Sequence, residues 1–238
     1  MKSIEHQVKH YFQPTNNTCG YAALATILSF YKIEIKPEEI IKTIPVRKDK
    51  SGTEFGSITP QLAAWCMNEY GIKSQIYSFD NLVLDISWGK LDKASLTKKL
   101  KDFIGKRDAQ VFSSFWADNY LKAYIELLDA GGKLTIQPFV TTALLYELLK
   151  SGPVFTNICS TTLRGEGRRR NTGLRKSVLD DSDRVLNHSV VIYGHDETGN
   201  FLVADPWVGR ITVSPELMAV VITASQIECD NMCLIFIK

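Results

Sequence analysis

The chain has 238 residues, of which 45% are hydrophobic and 23% are charged, a balance typical of globular proteins that bury a sizeable core. Its formal net charge of +2 gives no reason to expect nucleic acid, an anionic membrane or a strongly acidic substrate as partner. Residues 1–7 lack the apolar run of a secretory signal, and no apolar stretch approaches the ~20 residues that span a bilayer. We therefore expect a soluble protein that is cytoplasmic or exported without a Sec signal, of an oligomeric state that the sequence does not indicate.

The five cysteines are an odd number and follow no disulfide-framework spacing, which favours a reducing compartment. Cys229 and Cys233 have no second Cys or His pair at zinc-site spacing, so we expect no metal and no cofactor. Apart from Cys19, the cysteines are expected to be buried core residues: Cys66, Cys159, Cys229 and Cys233.

The first half of the chain reads as helical. The run from Tyr21 to Tyr31 is hydrophobic nearly all round, which predicts a buried helix with Asn17 or Thr18 as a side-chain N-cap. A second helix is predicted to begin at Lys36-Pro37-Glu38-Glu39, since proline and acidic residues favour a first turn. A third is predicted from Thr59 to near Gly71.

The later elements are predicted from periodicity and from turn residues. The helices are expected near Ser95–Ile104, Asp118–Leu128 and Thr141–Lys150. The strands are expected at Lys133–Gln137, Val154–Cys159, Ser189–Tyr193, Phe201–Ala204, Arg210–Val213 and Cys233–Ile237. Helices first and antiparallel strands later predict an α+β architecture with two packed lobes.

The segment from Ser160 to Asn187 is a long polar connection rich in glycine, arginine and aspartate. Such connections are uncommon in compact domains unless they are lids, binding loops or disordered. Two interpretations stay open, a solvated loop and a flap over a substrate, because the segment ends at a candidate catalytic base.

Cys19 is the first candidate functional residue. Placement in the first turn of a buried helix lowers the pKa of a thiol and raises the fraction of nucleophilic thiolate. Gly20 has no side chain that would block a substrate. A core cysteine is the alternative interpretation of Cys19.

Only four histidines are present to serve as a base. His188 stands at the entrance to the strand Ser189–Tyr193, which would hold its ring rigidly, as a base requires. His6 and His10 lie in the polar leading segment and are expected at the surface. His195 has the context of a turn residue and is the reserve base.

Two further side chains complete the candidate site. Asp205 follows His188 by 17 residues (205 − 188), room for a hairpin that sets the two side by side, so that Asp205 accepts the imidazole Nδ1–H. Gln13 precedes Cys19 by 6 residues (19 − 13), and its amide, with the backbone N–H of Cys19, suits a developing oxyanion. A turn-capping aspartate and a surface glutamine are the alternatives.

These motifs in this order resemble a known family. Gln13, Cys19-Gly20, the run from His188 to Gly194 and Asp205-Pro206-Trp207-Val208-Gly209 are similar to the bacteriocin-processing (double-glycine leader) cysteine peptidases and their stand-alone relatives, in the papain-like clan. The resemblance implies one papain-like domain over residues 1–238. Its N-terminal helical lobe, about 11–131, would carry the nucleophile helix and pack on a C-terminal antiparallel β-sheet lobe, about 132–238.

The resemblance also implies roles. Cys19 would be the nucleophile, His188 the base, Asp205 the residue that orients it, and Gln13 an oxyanion donor. Gly20 and Trp207 are expected to bind a peptide or protein substrate, with no nucleic acid partner and no membrane span. The segments 80–131 and 160–187 are longer than the family core and are interpreted as insertions, and no transporter portion is present, so leader cleavage is one of several substrate hypotheses.

Three alternatives differ in function. An amine or thiol rather than water would resolve the thioester in an acyl- or peptidyl-transferase. An inactive peptide-binding module is the second, although inactive members fused to transporters typically lack the cysteine. The third, nucleic-acid binding, rests on the single basic run Arg168-Arg169-Arg170.

Overall fold

Eight strands in the described part of the chain form one sheet in the computed structural model, which describes residues 1–48, 52, 56–79, 83–106, 114–137, 139–164, 187–228 and 231–237. The strands are β1 Ile4–Glu5, β2 Lys73–Phe79, β3 Lys133–Ile136, β4 Val154–Cys159, β5 Asn187–His195, β6 Phe201–Asp205, β7 Gly209–Val213 and β8 Asn231–Ile237. Their order is β3-β2-β8-β4-β5-β6-β7, and β1 pairs with β5. All these pairings are antiparallel except β2 with β3.

The described helices pack on both faces of this sheet and beside it. They are α1 Cys19–Phe30, α2 Pro37–Thr43, α3 Thr59–Tyr70, α4 Lys93–Phe103, α5 Ser114–Asp129, α6 Thr142–Leu149, α7 Ser160–Leu163 and α8 Pro215–Glu228, with a 3-10 turn at Ile86–Lys90. The α+β class predicted from the sequence is confirmed. None of the helices in the described ranges is both long and apolar enough to cross a membrane.

Helix α1 is buried as predicted. Its residues from Gly20 to Leu28 are buried, and they form a hydrophobic cluster with one face of the sheet, including Phe155 of β4 and Val191 of β5. Burial of apolar surface contributes roughly 25 cal/mol per Å², so this interface fixes α1 on the sheet. The hydrophobic core therefore fixes the position of Cys19, the first residue of α1.

The predicted capping bond at α1 is wrong, although Thr18 is the N-cap residue. Its side chain makes no hydrogen bond to the helix. The Thr18 hydroxyl donates to the Thr15 carbonyl oxygen at 2.8 Å and accepts from the Thr15 N–H at 2.9 Å. The hydroxyl therefore closes the loop that leads into α1 instead of capping the helix.

The opposite face of the sheet carries α6 and α8. Met218, Val221 and Ile222 of α8 are buried against Val190 and Ile192 of β5. Strand β5 is therefore covered on both faces, by α1 on one and by α8 on the other, which holds its first residues rigidly.

A third cluster lies among the 3-10 turn, α4 and α5, in the segment interpreted as an insertion. Its largest buried side chains include Trp88, Leu100 and Tyr124.

Strand β2 corrects the helical reading of the first half. In its sequence, KSQIYSF, Ile, Tyr and Phe favour a strand, but they do not alternate regularly with polar residues. It lies between β3 and β8, and its full length pairs with β8 from Lys73↔Ile237 to Phe79↔Asn231. These ladder hydrogen bonds, made to strands distant in sequence, determine the conformation.

Candidate active site

Three side chains from distant segments meet at one end of the sheet. Cys19 is the first residue of α1, His188 the second residue of β5 and Asp205 the last residue of β6. Strands β5 and β6 are antiparallel, with Val191 opposite Ala204, so the start of one lies beside the end of the other. The cysteine, histidine and aspartate singled out in the sequence are therefore adjacent.

The imidazole of His188 bonds to Asp205 through Nε2. The Nε2 to Oδ1 distance is 2.8 Å, and Asp205 is fully buried. The expected bond through Nδ1 is wrong, because the ring directs its outer nitrogen, Nε2, at the end of β6. This leaves Nδ1 for Cys19, whose thiol is near enough to the ring for each group to shift the pKa of the other.

The Cys19 sulfur lies among hydrogen-bond donors. Besides His188, the backbone N–H of Ser189 bonds to it, and the Ser189 hydroxyl, whose hydrogen is donated to Asn157 Oδ1, lies close by. Burial alone would raise the pKa of this thiol, but the hydrogen bond and charge of His188, together with Ser189, lower it below its ordinary value. The site therefore favours the thiolate, the nucleophilic form of cysteine.

The other two groups are held in their charged forms. Burial would lower the pKa of His188, but the bonds to Asp205 and Cys19 raise it to about 9. Burial would likewise raise the pKa of Asp205, but His188, the Trp207 N–H and Arg164 lower it to about 2. The charged forms of the three groups, thiolate, imidazolium and carboxylate, thus favour one another.

Two neighbours of this cluster were not found in the sequence. The Arg164 Nη2 atom lies 3.6 Å from Asp205 Oδ2. The Ser189 hydroxyl also reaches Asn157, with 2.9 Å between Ser189 Oγ and Asn157 Oδ1. Ser189 and Asn157 are register partners of β5 and β4, a relation that only the folded sheet reveals.

The other histidines differ from expectation. His6 and His10 were expected at the surface but are half-buried. The Nε2–H of His6 donates to the Leu149 carbonyl at 2.7 Å, and the Nε2–H of His10 donates to the main-chain carbonyl of Asp205 at 2.9 Å. His195 is the last residue of β5, at the opposite end from His188. It packs edge-on against Tyr146, so the reserve base is not at this site.

Gln13 lies beside the cluster with its amide engaged elsewhere. Its backbone N–H donates to the Pro206 carbonyl at 2.9 Å. The side-chain Nε2 donates to the carbonyls of Thr15 at 2.7 Å and Asn16 at 3.1 Å. Both amide hydrogens therefore brace the loop before α1, and neither is free for an oxyanion in this conformation.

The two expected substrate-binding residues differ in setting. A Cβ on Gly20 would lie 2.0 Å from Ser57 Oγ, so the space expected to be open for a substrate is filled by Ser57. Glycine is needed there for packing. Trp207 is exposed, as are Val208 and Phe12, and its backbone N–H donates to Asp205 Oδ1 at 2.7 Å.

Of the remaining cysteines, Cys66 and Cys159 have described side chains. Cys66 and Cys159 are buried, as predicted, and burial raises the pKa of the Cys66 thiol. Cys229, the side chain of Cys233 and the residues 165–186, with the arginine run and the suggested flap, lie outside the described residues. Within the described ranges, no group of three or more His, Cys, Asp or Glu side chains is arranged to hold a metal ion.

A buried helix that begins at a cysteine and packs on an antiparallel sheet bearing histidine and aspartate defines a papain-like fold. Residues 5–217 match the model of the Peptidase_C39 like family. The chain belongs to this family.

Two solved structures are similar to the chain. A crystal structure described as a C39-like peptidase from Bacillus anthracis has a TM-score of 0.52 and 13% identity, covering 100% of this chain and 98% of the other. A double glycine motif protease from an AMS/PCAT transporter, crystallised with the leader peptide, has a TM-score of 0.45 and 14% identity over 99% and 97% of the two chains. No curated protein matched the sequence. At 13% identity the likeness to the Bacillus anthracis structure supports the fold alone and leaves the activity to the site.

Proposed function

We propose that the chain is a cysteine peptidase that hydrolyses a peptide bond through a thioester acyl-enzyme. Cys19 is the nucleophile, His188 the acid and base, and Asp205 the residue that orients His188. The observation that supports this best is the 2.8 Å bond between His188 Nε2 and Oδ1 of the buried Asp205 carboxylate, made by the same ring that lowers the pKa of the Cys19 thiol.

The chemistry follows from the protonation states. The thiolate of Cys19 attacks the scissile carbonyl carbon and forms a C–S bond. The Nδ1–H of His188 then protonates the leaving amine as the C–N bond breaks, leaving a thioester and a neutral imidazole. Nδ1 next takes a proton from water, the hydroxide attacks the thioester, and the acid product and the thiolate–imidazolium pair are released.

Asp205 acts through the ring nitrogen that does not face the sulfur. Because its carboxylate accepts the Nε2–H, the neutral imidazole of the intermediate keeps its hydrogen on Nε2 and presents a lone pair at Nδ1. This tautomer is the one that takes a proton from water. The carboxylate also stabilises the imidazolium that pairs with the thiolate.

Two donors are proposed for the oxyanion. The Cys19 N–H belongs to the first turn of α1, where backbone N–H groups have no partner within the helix. The side-chain amide of Gln13 is the second donor. One of its hydrogens must leave the loop carbonyl that it contacts and bond to the oxyanion instead. The bond to the Asn16 carbonyl, at 3.1 Å, is longer than the 2.7 Å bond to Thr15, so we expect that hydrogen to be the one redirected.

The substrate is proposed to be a peptide or protein. Family membership supports this class, and the exposed indole of Trp207, whose backbone N–H bonds to Asp205, is in a position to contact an extended peptide. Cleavage of a double-glycine leader is one specific form of the proposal. A cytoplasmic location fits the free thiols of Cys19, Cys66 and Cys159.

A peptide-library digest tests the activity. We expect wild-type protein to cleave a subset of peptides and Cys19→Ala to lose at least about 10³-fold of that rate, with Cys66→Ala as the matched control that keeps it. Cleavage that persists in Cys19→Ala would contradict the mechanism. Absence of cleavage, together with a Cys19 thiol no more reactive towards iodoacetamide than a free thiol, would favour the inactive binding module.

A further inference from the structure

The two carboxylate oxygens of Asp205 have different surroundings. Oδ1 accepts from His188 Nε2 at 2.8 Å and from the Trp207 N–H at 2.7 Å. Oδ2 is buried and has no hydrogen-bond partner among the described residues. The Arg164 Nη2 lies 3.6 Å from Oδ2, and the Arg164 side chain is 24% exposed. The second oxygen of the buried carboxylate therefore faces a cation that is itself largely shielded from solvent.

A buried carboxylate in this setting requires compensation. Removing an ionised group from water costs several kcal/mol unless opposite charge and hydrogen bonds replace the solvent. His188 supplies positive charge only while it is an imidazolium. In the proposed reaction its Nδ1–H goes to the leaving amine, and the neutral ring then gives Asp205 only the Nε2–H hydrogen bond. The Arg164 guanidinium is always charged. It is therefore the partner of Asp205 that remains cationic throughout the cycle.

Arg164 reaches Asp205 from a separate part of the fold. Arg164 follows the short helix α7, and its backbone N–H donates to the Ser160 carbonyl oxygen at 3.2 Å. Helix α7 continues directly from β4, and β5 lies between β4 and β6 in the sheet. The arginine thus passes the start of β5, where His188 lies, to meet the end of β6.

We propose that Arg164 is a positioning residue for the reaction: it binds Asp205 Oδ2, so that Oδ1 stays directed at His188 Nε2. The proposal rests on the proposed function, since it assigns Arg164 a part in the same site. Arg164 acts through Asp205 and is not assigned any contact with substrate.

The charge of Arg164 gives the proposal a measurable consequence. Among the described residues, the titratable groups that contact Asp205 are His188 and Arg164 at the carboxylate and His10 at the main-chain carbonyl, and Cys19 lies beyond His188. Removing the cation makes the surroundings of Cys19 more negative and loosens the support of the imidazolium. Both effects disfavour the thiolate, so the pKa of Cys19 rises.

The test is the pH dependence of iodoacetamide alkylation at Cys19, read by mass spectrometry of the peptide that contains it. We expect Arg164→Gln to move the midpoint upwards by about 0.5 to 1 pH unit and Arg164→Lys, which keeps the charge, to move it by less than half as much. Lys150→Gln removes an equal charge from the exposed ion pair with Glu147 and should leave the midpoint unchanged. An unchanged midpoint in folded Arg164→Gln, or equal shifts in the glutamine and lysine variants, would overturn the proposal.

A comparison in the Asp205→Asn background covers the case in which Arg164→Gln does not fold. Arg164→Gln/Asp205→Asn removes both charges of the pair, and its Cys19 midpoint should lie less than about 0.5 pH unit above that of Asp205→Asn, because only the direct effect of the cation on the thiol is then lost. A further upward shift of about 0.5 unit or more would mean that Arg164 does not act through Asp205, and the proposal would fail.

Activity separates this proposal from the function on which it rests. On a peptide found in the digest, Arg164→Gln should lower kcat between about tenfold and 10²-fold with little change in KM. If wild-type Cys19 is alkylated like an ordinary thiol, the proposed function itself fails. If wild-type Cys19 is reactive at low pH and Arg164→Gln matches it in midpoint and kcat, only the role of Arg164 fails.

Discussion

Two cysteines of this chain show how local contacts determine thiol chemistry. Cys66 lies in α3 within the core, and burial raises the pKa of its thiol. Burial acts on Cys19 in the same direction, yet the contacts with His188 and Ser189 lower its pKa below the ordinary value. The difference arises from hydrogen-bond donors and a neighbouring positive charge. Helix position, used to select Cys19 in the sequence, is only part of the explanation.

The first prediction concerns the pH dependence of peptide cleavage. Activity requires Cys19 as thiolate and His188 as imidazolium. Because the pKa of Cys19 is lowered from 9.0 and that of His188 is raised to about 9, kcat/KM should increase with pH at values below the ordinary thiol pKa, reach a maximum and decrease at about pH 9. The measurement is kcat/KM on one peptide from pH 4.5 to 10.

A variant identifies the alkaline limb of that profile. The hydrogen bond to Asp205 is the largest of the effects that raise the pKa of His188, so Asp205→Asn should move the limb to lower pH. Asp92→Asn, which changes an exposed aspartate that caps α4, is the control and should leave the limb in place. A profile that only increases, with its midpoint near the ordinary thiol value, would contradict the ion pair.

At the scale of elements, the N-terminal segment connects the sheet to the site. Strand β1 pairs with the end of β5, and the chain then runs back along β5 and β6 towards Cys19. Four hydrogen bonds anchor it along the way. The His6 backbone N–H donates to the Tyr193 carbonyl at 2.8 Å, and Arg210 Nη2 donates to the Val8 carbonyl at 2.7 Å. Closer to Cys19, the His10 ring donates to the Asp205 carbonyl and the Gln13 backbone N–H to the Pro206 carbonyl. Displacement of β1 should therefore disturb residues near the reacting groups.

Gly194→Ala tests this connection. A Cβ at Gly194 would lie 2.1 Å from the Ile4 carbonyl oxygen and 2.9 Å from Glu5 Cα. Both are main-chain atoms that cannot rotate away, so β1 must move. We expect a loss of about 1–3 kcal/mol of stability, faster hydrogen exchange of the His6 N–H, and reduced kcat/KM. Urea unfolding and exchange mass spectrometry measure these effects.

Gly152→Ala is the matched control for that variant. Its Cβ would contact Tyr31 Oη at 3.4 Å and Phe30 Cε1 at 3.5 Å, which are tolerable separations. This variant should keep wild-type exchange at His6. Unchanged exchange in Gly194→Ala would show that β1 is not held against β5.

Elements whose signals are local were predictable from the sequence. Helix α3 begins at Thr59 and ends before Gly71, a left-handed residue with φ 65°, because proline and glycine mark those ends directly. Helix α8 was not predicted. Its sequence, PELMAVVITASQIE, is rich in β-branched residues of modest helix propensity, and burial of Met218, Val221 and Ile222 against the sheet stabilises it instead.

The site divides in the same way. Cys19, His188 and Asp205 were singled out in the sequence because the start of a buried helix and the ends of strands are local patterns. The sequence did not indicate which ring nitrogen of His188 bonds to Asp205. It also did not indicate that the Gln13 amide bonds to loop carbonyls or that Arg164 approaches Asp205. Each depends on side-chain orientation between elements distant in sequence, for which a single sequence carries no signal.

For the whole molecule, the site depends on the integrity of the fold. Cys19 and His188 are 169 positions apart (188 − 19), and the interface of α1 with the sheet holds them together. Leu24, Ile27 and Leu28 are fully buried in that interface. Because these contacts are long-range, loss of the core separates the Cys19 thiol from the His188 imidazole. The charged groups of the site should in turn contribute to the pH dependence of global stability.

Asp205 provides the last prediction, in the acid range. Its pKa is about 2 in the folded protein against an ordinary 3.8. A depressed pKa stabilises the folded state above the unfolded value, and this contribution is lost as pH decreases towards about 2. Between pH 6 and pH 3 the wild type should therefore lose about 1 kcal/mol more unfolding free energy than Asp205→Asn, which lacks the ionisable group. Urea unfolding at the two pH values measures the difference, with Glu34→Gln, at an exposed carboxylate paired with Lys9, expected to follow the wild type. Equal losses in wild type and Asp205→Asn would mean that the carboxylate is not stabilised in the fold, and the ion-pair network around His188 would lose its support.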